Sequence, residues 1–198
     1  LRKMATQRCA DIAEGAPIEA MNWEALTRFE LNRLSIALQK AGKYTLAEVA
    51  ARRAAALARV ADDEISTNHA VALSVHALIL TNLGAYAAAE KRARRGLEID
   101  RATIGEGHPD YATCLSNLAG AVRTQARDRE AEGLYREALE ISRATIGECH
   151  PDYATGLNNL ADVLVKQGQA GRGRAAFHAG TGDLPRHLAT GPSRHRCR

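Results

Sequence analysis

Two histidines at a fixed spacing are the first side chains whose chemistry needs an explanation. His108 and His150 lie 42 residues apart, each is followed by Pro-Asp, and Cys149 directly precedes the second. A histidine can act as a general base or bind zinc, but either role needs a suitable partner at the same site. Gly107 stands where the first copy would need that cysteine. The recurrence therefore favours a structural role at a helix start, and neither a metal nor a cofactor is expected.

Paired carboxylates, which could serve acid and base catalysis, are concentrated on one predicted helix. Interleaved arginines make exposed ion pairs a better explanation than paired catalytic carboxylates. The residues concerned are Glu130, Glu132, Glu137 and Glu140, with Arg129, Arg136 and Arg143. The sequence has no phosphate-binding glycine loop, serine-hydrolase elbow or dinucleotide fingerprint. We therefore expect no enzymatic activity.

The elements that carry these residues repeat with a period of 42. Residues 101–119 and 143–161 are identical at 16 of 19 positions. Apolar or small residues spaced three and four apart predict two helices in each copy, at 109–125 and 128–146 in the first. Weaker copies precede them, since leucines keep one register at Leu31, Leu73, Leu115 and Leu157. Such a helix hairpin cannot bury its apolar face alone, so neighbouring units must stack.

The pattern resembles the tetratricopeptide repeat (TPR), in the 42-residue form found in kinesin light chains. The resemblance rests on residues 157–161 (LNNLA), the turn at Gly168, residues 135–139 (YREAL) and the linker at 147–151 (GECHP). It implies an all-α fold, a right-handed superhelical solenoid of stacked antiparallel helix pairs. Armadillo repeats have a similar length, but they need a third helix for which this unit has no room.

Three segments follow from the repeat. Residues 1–21 form an N-terminal segment compatible with a capping helix, and residues 22–180 form an array of three units plus a partial fourth. Residues 181–198 form a basic tail, which we predict to be disordered. The fourth unit is expected to fail partway, because glycines at 171, 173 and 180 replace good helix formers. The preceding helices would then expose apolar surface.

The resemblance implies that the first helix of each pair lines a concave groove. Small polar residues recur there in one register, and amides and hydroxyls suit the backbone of an extended peptide. The predicted groove residues are Asn32, Ser74, Ser116, Asn117, Asn158 and Asn159, with Arg123 and Lys166 farther along and Asp162 opposing them. The cations favour an acidic peptide or a carboxylate terminus as ligand. The alternative is that these side chains only keep an exposed helix face soluble.

Charge and composition restrict the class of partner. The net charge is +4, but six arginines and one acid in residues 171–198 leave residues 1–170 at −1. The array therefore lacks the electrostatic footprint of a nucleic-acid-binding protein, and no apolar run approaches the ~20 residues that cross a membrane. Four widely spaced cysteines and no secretory signal indicate a reducing, cytoplasmic location.

These features predict a protein–protein interaction scaffold without catalytic activity of its own. The alternative is a regulatory or sensor fragment of a larger signalling protein, a nucleotide-binding switch or a protease, whose catalytic domain lies outside this chain. Self-association through an array end or the convex face is a third alternative.

Overall fold

The described chain is entirely helical. The computed structural model describes residues 26–61 and 65–181, and within these ranges it contains eight α-helices and no strand. In chain order they are α1 Arg28–Lys40, α2 Tyr44–Ala61, α3 Thr67–Asn82, α4 Tyr86–Thr103, α5 Pro109–Thr124, α6 Asp128–Thr145, α7 Pro151–Lys166 and α8 Ala170–Thr181. The helices predicted at 109–125 and 128–146 are confirmed to within one residue.

The helices form two compact units, divided after Gly105. Unit 1 contains α1 to α4 and unit 2 contains α5 to α8. In each unit the helices pack as two antiparallel pairs, and the second helix of one pair also packs against the first helix of the next. The first helices of the two pairs touch as well, α1 with α3 and α5 with α7.

A left-handed residue ends the first helix of every pair. Gly42, Gly84 and Gly168 have φ between +73° and +79°, and Ala126 occupies the same position at φ +60°. In the second pair the N–H of Gly84 donates to Thr81 O at 3.1 Å, which satisfies a carbonyl at the helix end. Glycine adopts this conformation without the steric cost that a Cβ brings, so Ala126 is the strained member of the set.

The two repeated histidines cap helices, as predicted. The N–H of Asp110 donates to Nδ1 of His108 at 3.2 Å, and the N–H of Asp152 donates to Nδ1 of His150 at the same distance. Proline follows each histidine at the first helical position, where its missing N–H leaves no donor unpaired.

Both units build their cores from large aliphatic residues together with alanines. In unit 1, Leu34, Leu38 and Ile79 are buried, and five alanines on one face of α2 are fully buried: Ala47, Ala50, Ala51, Ala54 and Ala58. In unit 2, the buried residues include Leu115, Leu118, Val122 and Tyr135. The alanine face of α2 allows neighbouring helices to approach closely, because helix separation depends on the side chains at the contact.

The expected failure of the fourth pair is wrong in one respect. α8 is shorter than α2, α4 and α6, but its glycines do not interrupt it. Gly173 is buried against α7, and a Cβ there would lie 2.6 Å from Cγ2 of Val165 and 3.0 Å from Ala161 O. Packing against α7 therefore outweighs the low helix propensity of glycine. Apolar surface is exposed at this end on both helices, since Val165 on α7 is 53% exposed and Phe177 on α8 is 49% exposed.

Two sequence predictions fall on residues that the structure does not describe. The capping helix at 1–21 lies outside the described residues, as does the tail at 181–198 except Thr181, the last residue of α8. Within the described residues, Cys114 is a buried thiol.

Candidate functional site

The first helices carry all eight predicted groove residues. Six of them lie in unit 2, three on α5 and three on the adjacent α7: Ser116, Asn117, Arg123, Asn158, Asn159 and Lys166. Ser116 and Arg123 are seven residues apart, as are Asn159 and Lys166, and seven residues are close to two helical turns, so each set lies on one side of its helix. Lys166 is exposed and the other five are half-buried. We call these six residues, together with Asp162, the polar stripe.

An ion pair joins the two helices of the polar stripe. The guanidinium Nη1 of Arg123 on α5 lies 3.4 Å from Oδ2 of Asp162 on α7. The Arg123 side chain is 25% exposed and that of Asp162 is 68% exposed. Exposed pairs of this kind contribute about 0–1 kcal/mol to stability. The contact is therefore weak enough for another carboxylate to replace it.

A buried tyrosine lies behind this ion pair. Tyr135 on α6 is 2% exposed, and a Cβ on Gly120 would stand 3.6 Å from its hydroxyl oxygen. Burial raises the pKa of the Tyr135 hydroxyl, while the nearby charge of Arg123 lowers it and that of Asp162 raises it. The hydroxyl is therefore close to both members of the Arg123–Asp162 pair. The periodicity of the sequence alone does not show this proximity.

Several atoms of the predicted groove residues have unmet hydrogen-bonding capacity. The side-chain oxygens Oδ1 of Asn158 and Asn32, and Nε of Arg123, are buried without a hydrogen-bond partner among the described residues. Buried polar atoms in folded proteins nearly always have such a partner. Two of these three atoms belong to the polar stripe. Oδ1 of Asn158 can therefore accept a further hydrogen bond, and Nε of Arg123 can donate one.

Unit 1 does not repeat this polar arrangement. Asn32 on α1 is half-buried, but Ser74 on α3 is only 7% exposed and does not lie on an accessible surface. The neighbouring positions on the same helix faces are apolar and at least partly exposed: Phe29, Ile36, Val71, Val75 and Leu78. We call these five residues the apolar stripe. In the 42-residue register Val75 aligns with Asn117 and Asn159, and Ile36 and Leu78 align with Asp162, so this difference between the units is visible in the sequence.

The described residues contain neither a metal-binding group nor a membrane span. Across 26–61 and 65–181, no three His, Cys, Asp or Glu side chains are grouped so that they could hold a metal ion. Within the same ranges, no helix combines the length and apolar character needed to cross a membrane.

A comparison with known families identifies the repeat. The sequence model of the tetratricopeptide-repeat family matches residues 68–144, which run from α3 into α6. These residues are a tetratricopeptide-repeat segment. The sequence of the chain has no significant match among curated proteins.

Solved structures show the same fold. The crystal structure of BtubC (BKLC) from P. vanneervenii superposes with a TM-score of 0.68 at 18% identity, over 99% of this chain and 78% of that one. A putative kinesin light chain of Podosopora anserina with nearly identical TPR-like repeats gives 0.63 at 16% identity, over 95% and 87%. The apo form of RapI gives 0.65 at 18% identity, over 79% and 55%. The predicted all-α TPR fold, with its kinesin-light-chain-like repeat, is therefore confirmed.

The family also gives a general role. Repeats of the TPR type generally mediate protein–protein interactions, and they are generally non-catalytic.

Proposed function

We propose that this TPR protein is a scaffold that binds an extended, acidic segment of a partner protein along the polar stripe. The observation that carries the proposal is the pair of unsatisfied atoms, Oδ1 of Asn158 and Nε of Arg123, on adjacent helices. An extended peptide offers an N–H and a C=O at nearly every residue. An asparagine amide can donate to one and accept from the other.

The backbone of the ligand is assigned to the asparagines. Asn117 on α5 and Asn158 and Asn159 on α7 lie half-buried on faces that the Arg123–Asp162 pair brings together. Half-burial favours recognition, because a partly desolvated amide gains more from a hydrogen bond than a fully hydrated one. Asn32 offers the same chemistry in unit 1.

The acidity of the ligand is assigned to the two cations of the stripe. Arg123 already holds a carboxylate, that of Asp162, through a single long contact of 3.4 Å. A ligand carboxylate that approached the guanidinium along two N–H bonds would bind more strongly than Asp162 does. Lys166, exposed on α7, would add a second positive charge for the same ligand.

The proposal is tested by selecting ligands and then removing the stripe. A library of ten-residue peptides is screened against the full chain, and selected peptides are measured by fluorescence anisotropy. The triple variant Asn117→Ala, Asn158→Ala, Asn159→Ala should lose about tenfold or more in affinity, since each net hydrogen bond contributes about 0.5–1.5 kcal/mol. A matched control, Arg129→Ala with Glu137→Ala, changes exposed residues of α6 and should bind as the wild type does.

Two outcomes decide the matter. If selected peptides are acidic and depend on the stripe, the scaffold role and its site are supported together. If selected peptides bind the triple variant and the wild type equally, while circular dichroism shows equal helicity, the polar stripe is not the binding site.

A further inference from the structure

His76 occupies a position that the repeat otherwise gives to leucine. Steps of 42 residues align it with Leu34, Leu118 and Leu160, all at most 5% exposed. His76 is equally buried at 2%. Unit 1 therefore carries an ionisable ring where unit 2 carries a hydrocarbon side chain in both of its pairs.

The ring is poorly satisfied in this place. Nδ1 of His76 has no hydrogen-bond partner among the described residues, and Nε2 has only a long contact of 3.5 Å to Oε1 of Glu48 on α2. The Glu48 side chain is 23% exposed. A buried imidazole whose hydrogen bonds are incomplete costs stability even when neutral, and it costs more when charged.

Charged groups from both neighbouring helices act on this ring. Across the described residues, these are Glu48 and Arg52 on α2 and Arg92 on α4. Burial lowers the pKa of His76 most, Arg92 lowers it further, Glu48 raises it and Arg52 lowers it slightly. The net direction is downward, so the ring is neutral in the folded unit at neutral pH.

We propose that His76 is an acid-sensitive element that destabilises unit 1 as the pH falls through the ordinary titration range of histidine. In the unfolded chain the ring takes up its proton at the usual pH, near 6.5. In the folded unit it resists that proton, because the ring is buried and two arginines oppose the one glutamate. The unfolded state therefore binds more protons, and stability falls as the pH drops. This device does not depend on the polar stripe, which lies in unit 2.

The test compares unfolding of the full chain in urea at pH 7.5 and pH 5.5. When the pH is lowered from 7.5 to 5.5, His76 should raise the unfolding equilibrium constant of the wild type by up to about tenfold. This increment adds to the change that other groups cause. His76→Leu, which restores the repeat residue, and His76→Gln, which keeps a polar side chain without titration, should both lose this increment. The control His150→Asn keeps a capping acceptor and removes a histidine of unit 2, and it should retain the increment.

The location of the effect is checked by amide hydrogen exchange, corrected for intrinsic rates. Acid should raise the opening of α2 to α4 more than that of α5 to α7, and only while His76 is present. The proposal is overturned if His76→Leu keeps the pH dependence of the wild type. It is also overturned if His76 makes the wild type more stable, relative to His76→Leu, at pH 5.5 than at pH 7.5. Equal loosening of both units would also overturn it.

Discussion

The two units share one backbone plan but present opposite chemistry on the faces of their first helices. At the positions where unit 1 has Phe29, Val71 and Val75, unit 2 has Thr113 or Thr155 and the asparagines of the polar stripe. The repeat fixes which positions are half-exposed, and it leaves the side chains there free to vary. The geometry of the helix pairs is thus common to both units. We expect the partner to be selected by half-exposed side chains that helix packing does not require.

The net charge also differs between the two units. Residues 26–105 contain 12 Lys and Arg against 8 Asp and Glu, whereas residues 106–181 contain 8 against 10. Unit 1 is therefore basic with an apolar stripe on its first helices, and unit 2 is slightly acidic with a polar stripe that contains two cations. A ligand that suits one unit should suit the other poorly. Four experiments test this contrast.

The largest effect is expected when the buried histidine of unit 1, His76, is copied to the equivalent core position of unit 2. Leu118→His removes a buried leucine and leaves imidazole nitrogens without an evident partner. It should destabilise unit 2 by about 3 kcal/mol, from lost apolar burial and an unsatisfied polar group. Urea unfolding at pH 7.5 gives the value. A cost below 1 kcal/mol would show that this position tolerates histidine in either unit, which removes the contrast in the cores.

The second test concerns the close approach of α8 to α7. Gly173→Ala should destabilise by about 1–3 kcal/mol, because the added methyl collides with Val165 and the Ala161 carbonyl. Gly171→Ala is the matched control, since Gly171 is exposed with nothing within 4 Å of an added Cβ. It should stabilise by up to about 1 kcal/mol. Thermal unfolding followed by circular dichroism separates the two signs, and stabilisation by both changes would refute the close contact.

The turn of the third pair offers a smaller gain. Ala126→Gly should stabilise unit 2 by about 0.5–1 kcal/mol, because it relieves the left-handed strain of a residue with a Cβ. Gly84→Ala makes the reverse change in unit 1 and should destabilise by about 1 kcal/mol. Midpoints of urea unfolding for both variants check the pair. Destabilisation by Ala126→Gly would contradict the strain argument.

The smallest expected effect is on binding. Asp162→Asn removes the internal carboxylate that competes for Arg123, so the affinity for acidic peptides selected on this protein should rise about two- to fivefold. Anisotropy titrations at low and high salt measure it, and the gain should shrink with salt. An unchanged affinity would mean that Asp162 does not compete with the ligand.

The sequence was sufficient to predict the helices, their pairing and the capping histidines. The near-identity of residues 101–119 and 143–161 gives the period, and each helix then follows from the spacing of its apolar residues. His108 and His150 were assigned correctly because a catalytic site rarely recurs once per repeat. These features depend on residues that are close together in the sequence, so they can be predicted from it.

What depends on packing between helices was harder to predict. Glycine has a low helix propensity, which predicted that the helix would fail at Gly173. The lack of a side chain there is what allows α8 to lie against α7. Ser74 shares the register of Ser116, yet it is buried. Tyr135 and the unsatisfied atoms of Asn158 and Arg123 emerge only when three helices are placed together. None of these facts is contained in the periodicity of a single helix.

The linkers at residues 104–108 and 146–150 have a consequence for the growth of the molecule. Each has a left-handed glycine, Gly105 or Gly147, followed by a capping histidine and a helix that starts with proline. The two junctions are interchangeable, so a segment that runs from one to the other can be lost or copied without creating a new type of junction. Recombination between such similar stretches would therefore lengthen or shorten the array by one whole period at a time.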